Sequence, residues 1–308
     1  TELNHFAILQ FVGICVHPIS IVTEYMPHGS LHDRLSNDNT ETPLSPTKRT
    51  IIGLGVAYAL NFMHKKDPPI LHRDVNSFNV LLDSEDFPHL SDFGLSRYAN
   101  QKNDLVPRVG VGKTQWMAPE VIKGIEYTEK SDVYSYGVLL WELLTGLIPY
   151  RDLNQTRIFE KIAYEGSHPE LDRPDCSREL RALLLKCWNR DPKLRPSFDT
   201  IIEYFENHTI EFIGTQSDQV KAYISLYHSS ESQEHFDFPI ITDSVIKSII
   251  NELEVKRPNA VQKAIAILSK QENHEFILQF DFIKTIVKTI DSCDSAQIAN
   301  FLTNAVDL

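Results

Sequence analysis

The chain has 308 residues, 42% of them hydrophobic, and a net charge of −12 at pH 7. This composition supports a packed core, and the length predicts two domains or one large domain with an appendage. An acidic chain without a Lys/Arg cluster argues against nucleic acid as its main partner. The longest apolar run, residues 136–144, is too short to span a membrane, and the four cysteines form no C-x-x-C pair. We therefore predict a cytoplasmic protein with reduced thiols and no membrane partner.

The first third of the chain predicts a hairpin followed by helices. Residues 9–15 and 19–26 are rich in β-branched and aromatic residues and should pair as antiparallel strands. Ser30 follows Gly29 as a plausible N-cap of a short helix. An apolar stripe at helical spacing predicts a longer helix over residues 47–66.

The middle of the chain predicts short strands and then helices. The strand segments are residues 70–71, 80–82 and 89–90. Residues 95–118 form a long irregular stretch, and loops of that length are more often functional than filler. Apolar residues then recur at helical spacing over residues 131–145, 155–164, 178–188 and 197–206.

The composition changes near residue 211. Residues 211–240 are polar and predict a linker between a first domain, residues 1–210, and a helical region, residues 241–308. Within that region residues 245–253 and 282–290 resemble each other at an offset of 37, which is typical of armadillo or HEAT-type repeats. A generic helical extension is the alternative interpretation.

The stretch HRDVNSFNVLLD, residues 72–83, places Asp74 and Asn79 on one loop before an apolar run. Phosphoryl transfer needs a carboxylate that accepts the proton of the attacking hydroxyl, and oxygen ligands for Mg²⁺. Asp74 and Asn79 suit these roles, and Asp92 in the triplet Asp-Phe-Gly supplies a further acidic ligand. The duller alternative is a turn in which both side chains bond their own backbone.

Three further motifs follow in order: the triplet Ala-Pro-Glu at 118–120, DVYSYG at 132–137 and CWNRDPKLRPSF at 187–198. With these motifs, residues 3–206 resemble a eukaryotic protein kinase domain of the tyrosine-kinase-like group. The resemblance implies an α+β fold, with a mostly helical C-terminal lobe and a remnant of the N-terminal β-sheet. It also implies ATP and Mg²⁺ as cofactors and a protein as substrate.

The resemblance implies a role for each matching residue. Asp74 would be the catalytic base, and Asn79 and Asp92 would ligate Mg²⁺. Asp132 would cap the backbone of the catalytic loop. His72 and Phe93 would stack in an internal apolar spine, with Phe11 as a third member, and Glu120 would pair with Arg195 as a buried structural ion pair.

The resemblance also implies an adenine pocket. Thr23 would be the gatekeeper at its back, and Glu24 and Met26 would offer backbone groups to the adenine. Leu81 would lie under the adenine ring. The family's Gly-rich loop, strand lysine and partner glutamate would precede Thr1, so the chain as given is expected to bind ATP poorly and to transfer little or no phosphate.

Two departures from the family pattern concern charge. Serine/threonine kinases usually place a lysine two positions after the catalytic aspartate, and tyrosine kinases an arginine two or four positions after it, whereas this chain has Asn76 and Phe78. Lys113 stands where a threonine or serine is usual. Serine/threonine specificity is favoured, and tyrosine remains open. The alternative function is a pseudokinase or scaffold that binds protein partners through the C-terminal lobe and the helical repeats.

Overall fold

The computed structural model describes residues 3–16, 19–36, 43–99 and 113–231, and the chain divides into two compact units. The described part of the first unit, residues 10–16 and 19–24, is a hairpin. Its strands β1 (Phe11–Val16) and β2 (Ile19–Thr23) pair antiparallel, which confirms the predicted hairpin.

The described part of the second unit, residues 3–9 and 25–231 apart from the gaps, holds the other strands and the helices. The strands form two short antiparallel ladders, β3 (Ile70–Leu71) with β6 (Arg97–Tyr98) and β4 (Val80–Leu82) with β5 (Pro88–Leu90). The helices are α1 (Leu31–Ser36), α2 (Pro46–His64), α3 (Pro119–Ile122), α4 (Glu129–Thr145), α5 (Gln155–Glu160), α6 (Arg178–Cys187), α7 (Phe198–Glu206) and α8 (Ser217–Glu231).

These elements match most of the predicted ones. Ser30 accepts a hydrogen bond from the Asp33 backbone at 3.1 Å and so caps α1 as expected. The helix predicted over residues 155–164 is split, because α5 continues into a π-helical turn at Lys161–Glu165. Among the described residues no helix is long and apolar enough to cross a membrane.

Helices α2 and α4 form the centre of the second unit. Both are buried on nearly every face, because α2 packs against α4, α7 and α8 while α4 also packs against α6. Gly55 is required in α2, since a Cβ there would overlap the Tyr223 hydroxyl and the Pro88 ring. Helix α4 also contacts the loop of residues 72–79, through the hydrogen bond from Ser77 to Glu142.

Helix α8 differs from the prediction, because its residues were assigned to a polar linker. Val220, Tyr223 and Tyr227 are buried, and Tyr227 stacks on Tyr58 of α2 with ring centroids 3.5 Å apart. Their spacing gives α8 one apolar stripe in an otherwise polar segment, and this stripe suffices for packing. The predicted armadillo or HEAT-type repeats of residues 241–308 lie outside the described residues.

Candidate active site

The carboxylate of Asp74 is held by two carboxamides of its own loop. Asn76 Nδ2 donates to Asp74 Oδ1 at 2.9 Å, and Asn79 Nδ2 donates to Asp74 Oδ2 at 2.8 Å. Both amides also donate to the Asp74 backbone oxygen at 2.8 Å. The carboxylate of Asp74 is therefore fixed in orientation before any substrate arrives. The predicted pair of Asp74 and Asn79 is brought together as the spacing implied.

The backbone before Asp74 is anchored on α4 by Asp132. The backbone N–H groups of His72 and Arg73 donate to Asp132 Oδ2 and Oδ1 at 2.9 and 3.0 Å. Arg73 has φ of 72°, a left-handed conformation that is costly outside glycine and persists only when its surroundings hold it. This geometry agrees with the predicted capping role of Asp132.

Asp132 is fully buried and accepts two further hydrogen bonds from side chains. Tyr127 Oη donates to Oδ1 at 2.6 Å, and His64 Nε2 lies 2.9 Å from Oδ2. Burial raises the pKa of Asp132, but the hydrogen bond and charge of His64 and the hydrogen bond from the Tyr127 hydroxyl outweigh burial and hold the pKa below its usual value. The low pKa favours the ionised carboxylate, which is the form that accepts from the backbone N–H groups of His72 and Arg73.

The predicted metal ligands stand at the end of the β4–β5 ladder. The Ser91 backbone N–H donates to Asn79 O at 2.8 Å, which places Asp92 one residue from that bond. Asp92 is exposed, has φ of 61° and accepts from the Gly94 backbone at 3.3 Å. The backbone of Asp92 is therefore left-handed, like that of Arg73.

The donor set fits Mg²⁺. Because Asn79 Nδ2 is committed to Asp74, the amide oxygen Oδ1 remains, and it accepts no hydrogen bond from the described residues. An amide oxygen and a carboxylate are hard ligands, and Mg²⁺ usually takes only one or two protein ligands beside phosphate and water. No cluster of three or more His, Cys, Asp or Glu side chains suited to a metal occurs in the described ranges.

His72 and Phe93 are in contact as predicted, with an edge-to-face geometry. Their ring centroids lie 5.4 Å apart at an interplanar angle of 62°. His72 Nε2 lies 3.0 Å from Ser91 O, and burial lowers the pKa of His72 against the opposing charge of Asp132. The ring therefore acts as a packed neutral residue. Phe11 lies in β1 of the first unit and is 40% exposed.

The residues predicted to contact adenine belong to both units. In the first unit Thr23 ends β2 and its hydroxyl donates to Glu24 O at 3.2 Å. In the second unit Met26 is buried, and its backbone N–H donates to no described acceptor. Leu81 is half-buried in β4, where it bridges to Ser30. The assignment of all four residues to adenine stays a prediction.

The predicted ion pair of Glu120 and Arg195 is present. Arg195 Nη1 and Nη2 donate to Glu120 Oε1 and Oε2 at 2.6 and 2.8 Å, a bidentate geometry. The Arg195 side chain is fully buried, and its Nε and Nη1 also donate to backbone carbonyls. This pair fixes the start of α3 to the turn before α7.

Sequence reasoning missed the buried carboxyl of Glu142. Ser77 Oγ donates to its Oε1 at 2.6 Å and Trp116 Nε1 donates to its Oε2 at 2.7 Å. Glu142 thus ties the catalytic loop and the segment after residue 113 to α4. Burial raises the pKa of Glu142 to about 7, against these two hydrogen bonds and the charge of Lys113. The available clue was a glutamate inside an otherwise apolar helix, because a buried carboxyl needs partners.

A second contact was also missed, between the catalytic loop and Lys113. Lys113 Nζ donates to Asn76 Oδ1 at 2.8 Å and lies 3.7 Å from the centroid of the Phe78 ring. In the sequence, Asn76, Phe78 and Lys113 are three separate departures from the family pattern. Their spatial relation depends on a fold that brings residues 76 and 113 together.

Comparison with known proteins gives one family. The family model described as protein tyrosine and serine/threonine kinase matches residues 1–205. Similar proteins include the serine/threonine-protein kinase CTR1 of Arabidopsis thaliana, 37% identical over 204 residues that cover 66% of this chain and 25% of the relative. The probable serine/threonine-protein kinase drkD of Dictyostelium discoideum is 38% identical over 222 residues, which cover 71% of this chain and 17% of the relative.

A third relative carries a different description. The dual specificity protein kinase pyk3 of Dictyostelium discoideum is 37% identical over 210 residues, which cover 68% of this chain and 15% of the relative. The chain therefore spans about a quarter or less of the length of these curated relatives.

Proposed function

The chain belongs to the family of protein tyrosine and serine/threonine kinases, and we propose that it is part of a protein kinase that transfers the γ-phosphate of ATP to protein hydroxyl groups. Serine and threonine are favoured over tyrosine, because relatives such as CTR1 and drkD are described as serine/threonine kinases. The relative described as dual specificity keeps tyrosine open as a second acceptor.

The observation that carries this proposal is the orientation of Asp74. Carboxamides of Asn76 and Asn79 hold both of its oxygens, and Asp132 anchors the backbone before it. The substrate hydroxyl oxygen would bond to the γ-phosphorus while the bond from phosphorus to the β–γ bridging oxygen breaks. ADP leaves, and the hydroxyl proton passes to Asp74.

The chain's own oxygen ligands complete the chemistry. Asn79 through its Oδ1 and Asp92 through its carboxylate would hold Mg²⁺, which when bound neutralises charge on the phosphates. Anchoring of Asn79 by Asp74 and by Ser91 keeps the amide oxygen in a fixed direction. Thr23, Glu24, Met26 and Leu81 are proposed to receive the adenine.

The test is Asp74→Asn in the full-length protein, assayed by incorporation of γ-labelled phosphate into a general protein substrate. Loss of the base that accepts the proton should lower the rate at least about a hundredfold. The matched control is Asp172→Asn, since Asp172 is an exposed aspartate in the loop before α6, and its rate should equal that of the parent. Unchanged incorporation in Asp74→Asn refutes the assigned role. A parent that binds Mg–ATP without transfer supports a scaffold function instead.

A further inference from the structure

The ammonium group of Lys113 rests on two side chains of the catalytic loop. It donates to Asn76 Oδ1 at 2.8 Å, and it lies over the face of Phe78 with Nζ 3.7 Å from the ring centroid. Asn76 and Phe78 occupy the two loop positions at which kinases place a lysine or arginine. The loop has no cation at either position, and the ammonium of Lys113, from another segment, lies against both side chains.

The ammonium is linked to Asp74 through Asn76. Asn76 accepts from Lys113 with Oδ1 and donates from Nδ2 to Asp74 Oδ1 at 2.9 Å. The amide of Asn76 therefore bridges the ammonium of Lys113 and the carboxylate of Asp74, with its oxygen bound to the first and its nitrogen to the second. Burial lowers the pKa of Lys113, and the carboxylates of Asp74, Glu142 and Asp92 oppose that shift. The positive charge thus lies in the field of Asp74 and of the proposed metal ligand Asp92.

The backbone of Lys113 is anchored on the core. Trp116 N donates to Lys113 O at 3.1 Å, and the Trp116 indole donates to Glu142 of α4. The Phe78 ring packs edge-to-face on Trp116 with centroids 6.1 Å apart. The Phe78 ring under the ammonium and the backbone of Lys113 are therefore both held by Trp116.

We propose that Lys113 is the catalytic cation that contacts the transferred phosphoryl group, in place of the missing cation of the catalytic loop. The inference rests on the proposed kinase function. Negative charge spreads over the phosphoryl oxygens in the transition state, and a fixed cation lowers the barrier because it needs no reorganisation at that moment. The cation–π contact with Phe78 and the hydrogen bond to Asn76 supply that fixation.

The activity test is a charge-relocation series in the full-length protein. Lys113→Met keeps the length of the side chain and removes its charge, and we expect kcat to fall about a hundredfold with a smaller change in KM for ATP. Lys113→Arg should retain most of the rate. The double variant Asn76→Lys with Lys113→Met should recover at least about tenfold over Lys113→Met alone, because it returns the cation to the loop.

Lys123→Met is the matched control for this series. Lys123 also lies over an aromatic ring, that of Tyr164, at 5.9 Å, and follows α3 outside the site. It should have the kcat of the parent. A Lys113→Met variant with unchanged or raised kcat overturns the inference, and a raised value would mean that the ammonium restrains Asp74.

A second measurement tests the contact between Lys113 and the γ-phosphate without requiring catalysis. The full-length protein is acetylated with an amine-reactive ester in Mg²⁺ with ADP or with the non-hydrolysable ATP analogue adenylyl imidodiphosphate, and labelled lysines are quantified by mass spectrometry. The analogue should reduce labelling of Lys113 at least about fivefold relative to ADP, since only the analogue has a γ-phosphate. Lys123 should be labelled equally in both. Equal labelling of Lys113 in the two nucleotides overturns the inference.

The two measurements separate failure of the inference from failure of the proposed function. A parent that transfers no phosphate but shows protection of Lys113 by the analogue refutes the activity and supports the γ-phosphate contact. A parent that loses its activity in Asp74→Asn but not in Lys113→Met keeps the kinase function and refutes the role of Lys113.

Discussion

Helix α4 has a buried carboxyl group in its first turn, Asp132, and another in its last turn, Glu142, and the pKa values of the two are shifted in opposite directions. The pKa of Asp132 lies below its usual value, whereas burial raises that of Glu142 to about 7. Both bind the catalytic loop, Asp132 through backbone N–H groups and Glu142 through the hydroxyl of Ser77. Burial is common to both groups and cannot explain the difference.

The difference follows from the donors and the helix ends. Asp132 has four donors, including the imidazole of His64, and the positive end of the helix dipole lies beside it. Glu142 accepts only from neutral donors, the hydroxyl and backbone of Ser77 and the indole of Trp116, and lies near the negative end of the same helix. A buried carboxyl is thus ionised according to the number, charge and position of its partners.

The two groups should also contribute to stability with opposite pH dependence. A depressed folded-state pKa stabilises the protein above the ordinary pKa of aspartate, and this contribution of Asp132 is lost in acid. A raised pKa works the other way for Glu142, because between pH 4.5 and about 7 the unfolded state has released a proton that the folded state keeps. Rising pH across that window therefore favours unfolding.

The largest expected effect is that of Asp132→Ala. The N–H groups of His72 and Arg73 and the hydroxyl of Tyr127 would lose their acceptor in the core. Removal of one partner from a buried charged cluster typically costs about 3–5 kcal/mol, and the free energy of unfolding should fall by about that amount. Urea denaturation measures this loss, and phosphate incorporation should fall with it since the backbone before Asp74 loses its anchor.

The matched control for Asp132→Ala is Asp199→Ala. Asp199 pairs with Lys65 at 2.7 Å, and both side chains are more than 60% exposed. An exposed ion pair contributes little, so this variant should lose less than about 1 kcal/mol. Comparable losses in the two variants would contradict the anchoring role of Asp132.

The next effect concerns Glu142→Gln, which removes the titrating group and keeps its volume. The amide oxygen can accept from Trp116 and the amide nitrogen can donate to Ser77. The shift to about 7 corresponds to on the order of 3 kcal/mol, so the parent should lose about that much stability relative to the variant between pH 4.5 and 7. Urea midpoints of both proteins over this range measure the difference.

The difference between the two proteins is the informative quantity, because histidines elsewhere titrate in the same window and cancel in the comparison. Parallel stability curves for the parent and Glu142→Gln would show that Glu142 has an ordinary pKa. The comparison between the two ends of α4 would then fail.

Motif spacing predicted those parts of the site that depend on chain neighbours. Asp74 and Asn79 share one loop. Strand β4 follows this loop directly, and its short hairpin with β5 returns the chain to Asp92. The anchoring by Asp132 and the pair of Glu120 with Arg195 were predicted only through family resemblance. Composition and periodicity alone predict neither of these contacts.

The rest depended on tertiary packing. Ser77 meets Glu142 across 65 residues, and Lys113 meets Asn76 across 37, so no local pattern shows either pair. Helix α8 was missed because its buried stripe is narrow and its other residues are polar. Such contacts exist only once the chain has placed distant segments against the same helix.

The smallest expected effect is that of Ser77→Ala. Removing the hydroxyl takes away a side-chain donor of Glu142 and should raise the pKa of Glu142 further, because the loss of a hydrogen bond destabilises an ionised carboxylate more than a neutral acid. The variant should lose about 1–2 kcal/mol at pH 8, where the carboxylate is charged, and less at pH 6. Ser135→Ala is the control, since Ser135 is buried on the same helix and donates to the backbone oxygens of Trp116 and Ser131. Its loss should be equal at the two pH values, and an equally pH-independent loss in Ser77→Ala would mean that the hydroxyl does not bind a titrating carboxyl.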